Sequence, residues 1–301
     1  MKNLIPSSFN SDESQETCLK LVSFNHAGQA SYGLVEGDRY LQPSADFLGR
    51  HPDLVSVLRA GALAELEQNT RDGGTALPST DVQALPVIPN PAKFICVGLN
   101  YKTHVAETKR GDSEHPSLFL RFIDTLAADG DEVLRPSFSE RFDWEGELAM
   151  VIGKGGRHIP AAQAFEHIAG FACLNDISVR DWQRHTHQFT PGKNFPGTAP
   201  FGPFLATRDE VPDVSRLTLE TRVNGEVMQH ASVGDLIFDI PTIIEYVSRF
   251  TPLSPGDVIA TGTPGGVGDR REPPRYMKEG DVVEVEITGL GILRNRIGTD
   301  A

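Results

Sequence analysis

The chain has 301 residues, 39% of them hydrophobic and 23% charged, a globular composition with ample length for a sizeable core, which excludes disorder for the bulk of it. A formal net charge of −13 repels a phosphate backbone and excludes general nucleic-acid binding. No apolar run approaches the ~20 residues that span a bilayer, and the N-terminus lacks a signal-peptide core, so no membrane partner is expected and the expected compartment is the cytoplasm.

Residues 1–16 are polar and expected to fray. Between Cys18 and Leu41 the pattern predicts short strands: Leu19, Leu21 and Phe24, then 32–35, then a Glu36-Gly37-Asp38 turn and 39–41. Leu54, Leu58, Ala62 and Leu66, four apart, predict a helix over 54–66, interrupted in composition by Gly61. Residues 67–80 are polar and rich in Gly, Ser and Thr, and read as a linker. Pro86, Pro89 and Pro91 mark a boundary between a small N-terminal domain over 1–85 and a larger domain over 86–301. The larger part reads as mainly β, with strands at 94–98, 148–152, 169–174, 217–223, 226–229, 282–287 and 292–297. Asn224-Gly225 is a hairpin signal, and Asp239 and Pro241 suit the start of a helix running to Phe250. The 29 glycines and 21 prolines agree with a turn-rich, β-rich fold. Cys18, Cys96 and Cys173 form neither a CxxC pair nor a zinc pattern, so reduced thiols are expected.

The chemistry concentrates in a few segments. In Asp143-Trp144-Glu145-Gly146-Glu147, the two glutamates stand two apart and project together on a strand that runs into an apolar stretch. Buried like charges repel unless a cation lies between them, and a hard divalent ion with oxygen ligands meets that need. Taken alone, the same spacing fits two solvated glutamates on an edge strand. Asp176 ends another apolar strand, where a third carboxylate reaches the same ion. Arg180 and Gln183 share a face if the chain turns helical there, placed to hold a substrate carboxylate and carbonyl; an ion pair of Arg180 with Asp181 or another nearby acid is the structural alternative.

Lys193 sits in a glycine-containing turn, and Thr263 in a glycine-rich segment after the strand at 258–260. Neither segment has the spacing of a P-loop or of a dinucleotide-binding turn. His104 and Glu107, three apart on a helix, can touch, and a carboxylate beside an imidazole orients it as a general base. Such pairs are also common on exposed helices.

Together GLNYKTHVAE (98–107), DWEGELAMVIGK (143–154), NDISVRDWQ (175–183), GKNFPGTAPFGPF (192–204) and TGTPGGVG (261–268) resemble, in wording and order, the fumarylacetoacetate hydrolase family. The resemblance covers residues 90–298, and residues 1–80 are more distantly similar to the small N-terminal domain of many bacterial members. It implies an α+β, β-rich fold: a mixed β-sandwich roll with a small N-terminal α/β domain, paired into a homodimer. It implies Mg2+, with Mn2+ or Ca2+ as alternatives, held by Glu145, Glu147 and Asp176. It implies that Arg180, Gln183, Lys193 and Thr263 grip a small-molecule oxo-acid substrate, with Lys193 also acting in catalysis. His104 and Glu107 then lie on a mobile lid and activate water. Where many relatives have Leu-Phe-x-Lys, this chain has Leu118-Phe119-Leu120-Arg121, a change that bears on substrate preference. The activity expected from this reading is hydrolysis of a carbon–carbon bond in an acylpyruvate-like 1,3-diketo acid. Its alternative is decarboxylation or isomerisation of a 2-oxo diacid, or a sugar-acid lyase or dehydratase reaction, since the family spans all of these and fold does not fix reaction.

Overall fold

The computed structural model describes residues 19–108 and 113–300; the polar segment 1–16 lies outside them. A twelve-stranded mixed sheet forms the backbone of the molecule. Its order begins with Thr75–Pro78, Arg39–Gln42, Gln29–Glu36 and Lys20–His26, and continues through Ala199–Thr207, Ile168–Asn175 and Gly146–Ile152 to Val258–Ala260, Phe94–Gly98 and Ser117–Leu120. A five-stranded sheet joins Glu226–Ser232, Thr218–Val223, Val282–Ile287, Gly291–Thr299 and Glu132–Arg135. Phe142–Asp143 pairs separately with Ser178–Val179. Most pairings are antiparallel, with parallel exceptions such as Val258–Ala260 on Phe94–Gly98.

The central strands Gly146–Ile152 and Ile168–Asn175 are buried along their whole lengths, because both faces are covered. On one side Ala149, Val151, Ala172 and Leu174 pack with Leu21, Val57 and Leu66; on the other Leu148, Met150, Phe171 and Cys173 pack with Ile243, Ile244 and Val285. The N-terminal strands are thus continuous with the main sheet, through the register Lys20↔Ala206 and Leu21↔Leu205.

Local signals place several elements as expected. Asn224 and Gly225 both take positive φ between Thr218–Val223 and Glu226–Ser232. Helix Ile240–Phe250 begins with the Asp239 carboxylate accepting from Thr242 N. Two expectations need correction. The helix over 54–66 is two helices, Leu54–Ala60 and Leu63–Gly73, because Gly61 adopts a left-handed cap (φ 65°) that stops the first. The linker over 67–80 is the end of the second helix followed by strand Thr75–Pro78, held by pairing with Arg39–Gln42. Cys96 and Cys173 are free and buried. No helix among the described residues is long and apolar enough to cross a membrane.

Candidate active site

Strand Gly146–Ile152 carries Glu147 into the interior, and Glu145 stands immediately before it. The register Gly146↔Asn175 brings the end of the neighbouring strand alongside, and Asp176 N donates to Glu145 O (2.8 Å). Glu145, Glu147 and Asp176 are 5%, 2% and 0% exposed, and offer ligand oxygens within 4.8 Å of one another. They are therefore not solvated edge glutamates. Burial, reinforced by the charges of Asp176 and Glu145, pushes the Glu147 carboxyl well above the usual range. Against its own burial, Glu145 is held well below that range by Arg180 and Lys193. Three converging buried carboxylates, one of them strongly disfavoured as a lone anion, fit a hard divalent cation.

Lys193 and Arg180 both pair with this cluster. Lys193 Nζ lies 2.6 Å from both Glu145 Oε2 and Asp176 Oδ2. Arg180 donates through Nε to Asp143 Oδ2 (2.7 Å), and its Nη1 lies 2.6 Å from Glu145 Oε1 and 3.1 Å from Gln183 Oε1. Arg180 is therefore partly a structural ion pair, with Asp143 and Glu145 rather than Asp181. Its buried Nη2 has no hydrogen-bond partner among the described residues, a donor left over for an anionic ligand. The short helix Arg180–Gln183 puts Arg180 and Gln183 on one cavity wall, as the sequence anticipates.

Helix Lys102–Thr108 lends His104 and Thr108 to the cavity wall. His104 Nδ1 is 2.7 Å from Glu107 Oε1, so the carboxylate engages Nδ1 and Nε2 is the other ring nitrogen. Glu107 Oε2 accepts from Gly266 N (2.9 Å), and Thr103 Oγ1 accepts from Gly265 N (3.1 Å), so the helix is seated on the glycine-rich loop. His104, Glu145, Glu147, Arg180, Gln183, Lys193 and Thr263 all line one cavity of about 330 Å3. Glu107 and Asp176 stand behind it, each holding a lining group. Thr263 Oγ1 donates to Gly146 O (2.9 Å) and accepts from Gln229 Nε2 (2.8 Å), so its hydroxyl also ties the loop to the carboxylate strand.

Three further residues shape the site without having been singled out for that role. Arg121 does not line the cavity; its guanidinium lies wholly behind Asp176, with Nε 2.5 Å from Asp176 Oδ1, Nη1 on Thr198 Oγ1 and Nη2 on Ile177 O. Asp143 accepts from Arg180 Nε and from the amides of Trp144, Gly268 and Asp269. Gln229 Oε1 accepts from Gly146 N between the two glutamates. The position of Asp143 inside DWEGE was the available signal for it; Gln229 offered none.

Known proteins agree with this picture. The model of the fumarylacetoacetate (FAA) hydrolase C-terminal family matches residues 93–298. The chain is 41% identical over 253 residues to human mitochondrial oxaloacetate tautomerase FAHD2A, covering 83% of this chain and 78% of that protein. It is 40% identical over 248 residues to oxaloacetate tautomerase YisK of Bacillus subtilis, covering 80% and 82%. The solved maleylpyruvate hydrolase of Sphingobium sp. SYK-6 in complex with manganese(II) and pyruvate superposes with a TM-score of 0.78 at 26% identity, over 94% of this chain and 100% of that one. With that model matched over residues 93–298 and relatives near 40% identity across four fifths of the chain, the chain belongs to the fumarylacetoacetate hydrolase family of enzymes.

Proposed function

We propose that the protein interconverts the enol and keto forms of a 2-oxo diacid of the oxaloacetate type at a divalent-metal centre. The observation that carries this reading is the convergence of the triad Glu145, Glu147 and Asp176, Lys193 and the His104–Glu107 pair on one small cavity. Two relatives at about 40% identity are named oxaloacetate tautomerases, which favours this reaction over the acylpyruvate hydrolysis expected first.

Glu145, Glu147 and Asp176 would hold the metal, Mg2+ or Mn2+. When bound, it supplies Lewis-acid polarisation of the substrate's 2-oxo group. The remaining chemistry belongs to the chain. His104, oriented by Glu107, takes a proton from C3 through Nε2 as the C2–C3 bond gains double-bond character, and returns a proton at the C2 oxygen; the reverse direction moves the same proton back. Lys193 would offset the negative charge that develops on that oxygen. Arg121, Arg180 and Lys193 fall one charge short of Asp143, Glu145, Glu147 and Asp176, a deficit that a bound divalent ion would offset in favour of an anionic substrate.

The test follows the decay of enol absorbance of oxaloacetate in stopped flow, with metal and after EDTA. Acceleration that vanishes with EDTA, and that falls by about 10²–10⁴ in His104→Ala, supports the reading. Metal-dependent release of pyruvate from acylpyruvates without enol–keto acceleration would restore hydrolysis, a reaction for which the same His–Glu pair could activate water.

A further inference from the structure

The mouth of the cavity carries charge that the centre itself does not use. Arg184 caps the short helix Arg180–Gln183, and Arg270 ends the turn Gly268–Arg270. Both line the cavity together with Asp269 and His187. The two guanidiniums share a single carboxylate: Arg184 Nη2 pairs with Asp269 Oδ2, and Arg270 Nε lies 3.4 Å from the same oxygen. The other carboxylate oxygen of Asp269 is taken by Tyr276 Oη (2.9 Å). One acid against two cations leaves a positive surplus at this opening, on a chain whose net charge is −13. The two arginine side chains are 43% and 35% exposed, so donors remain for a ligand.

The mouth is also held in register with the carboxylate cluster. Asp143 Oδ2 receives both Asp269 N (3.0 Å) and Arg180 Nε (2.7 Å), and Arg180 in turn holds Glu145. A buried carboxylate thus fixes the cationic pair relative to the metal ligands, as a preorganised second anchor requires. Arg184 lies four residues beyond Arg180, about one turn along the chain.

We propose that Arg184 and Arg270 form a subsite for the distal carboxylate of a dicarboxylic 2-oxo acid, so that the cavity selects dianions over monoanions of the same length. The proposal rests on the reading that the 2-oxo acid end is seated at the triad. Phe189 and Val267, also on the cavity wall, give the intervening carbons an apolar surface.

The test is calorimetric titration of the Mn2+-loaded protein with 2-oxoglutarate and with 2-oxopentanoate, which match in chain length and differ in the distal carboxylate. Wild type is expected to prefer the diacid by about tenfold or more, the scale of charge-assisted hydrogen bonds to a partly exposed anion. Arg184→Gln/Arg270→Gln is expected to erase that preference by weakening the diacid alone, with the monoacid within about twofold of wild type, and Arg270→Lys should retain part of it. A preference that survives the double variant, equal weakening of both ligands, or no preference in wild type overturns the subsite. Loss of the preference in the double variant, alongside a wild type that fails to accelerate enol–keto exchange, retains the subsite and retires the tautomerase reading.

Discussion

Arg121 is the residue whose role the structure redefines most. Its three guanidinium nitrogens each meet a different acceptor, and its side chain is wholly buried. A lysine ammonium is a single point and cannot form that planar fork, so the arginine holds Asp176 from behind rather than meeting substrate. Arg121→Ala is expected to cost about 3–5 kcal/mol of stability, the penalty for stranding a buried partner charge, and to weaken metal binding through a loosened Asp176. Chemical denaturation and a metal titration check the two effects, and Arg121→Lys should fall between alanine and wild type in both. In the sequence, Arg121 was visible as a departure from a motif, but its partner lies 55 positions away. Glu145, Glu147 and Asp176 were legible because each marks the end of an apolar strand, where a carboxylate has few inexpensive explanations. Arg184 and Arg270 carried no comparable mark, since only folding brings them to one acid.

At the scale of elements, helix Lys102–Thr108 and the loop 261–268 act as a pair. Gly266 presents its amide to Glu107 with φ of 102°, and a Cβ there would stand 2.2 Å from Met228 O. Gly266→Ala is therefore expected to move the loop and break the contact with Glu107, with a loss in kcat larger than the loss in metal affinity. Stopped-flow rates beside a metal titration separate the two; equal losses would show that the loop supports the whole centre. Sequence patterns captured elements with local determinants, such as the Asn224-Gly225 hairpin and the Asp239-capped helix. They missed the break at Gly61, because Leu58, Ala62 and Leu66 are all buried and keep four-residue spacing across it. They also missed strand Thr75–Pro78, only four residues long and held by pairing with Arg39–Gln42, a partner local composition does not reveal.

For the molecule as a whole, the carboxylate cluster lies where the main sheet, the Phe142–Asp143 pair and the five-stranded sheet approach one another. Glu145 follows the first pair, Glu147 lies on the main sheet, and Gln229 reaches Gly146 from the smaller sheet. A cation bound only by the folded chain should thus stabilise all three together, by about 2.7 kcal/mol at a hundredfold excess over Kd. Thermal melting with Mn2+ and with EDTA checks this: a Tm that rises with Mn2+ concentration in wild type and much less in Glu147→Gln is the expected result. Glu107 adds a consequence in time. One of its oxygens aims the imidazole and the other pins the helix, so a displaced helix would carry a misaimed base. On the proposed reading, seating the helix against the glycine-rich loop and aiming the proton shuttle would be a single event, so an enol that arrives before the helix is seated would meet a histidine not yet cocked.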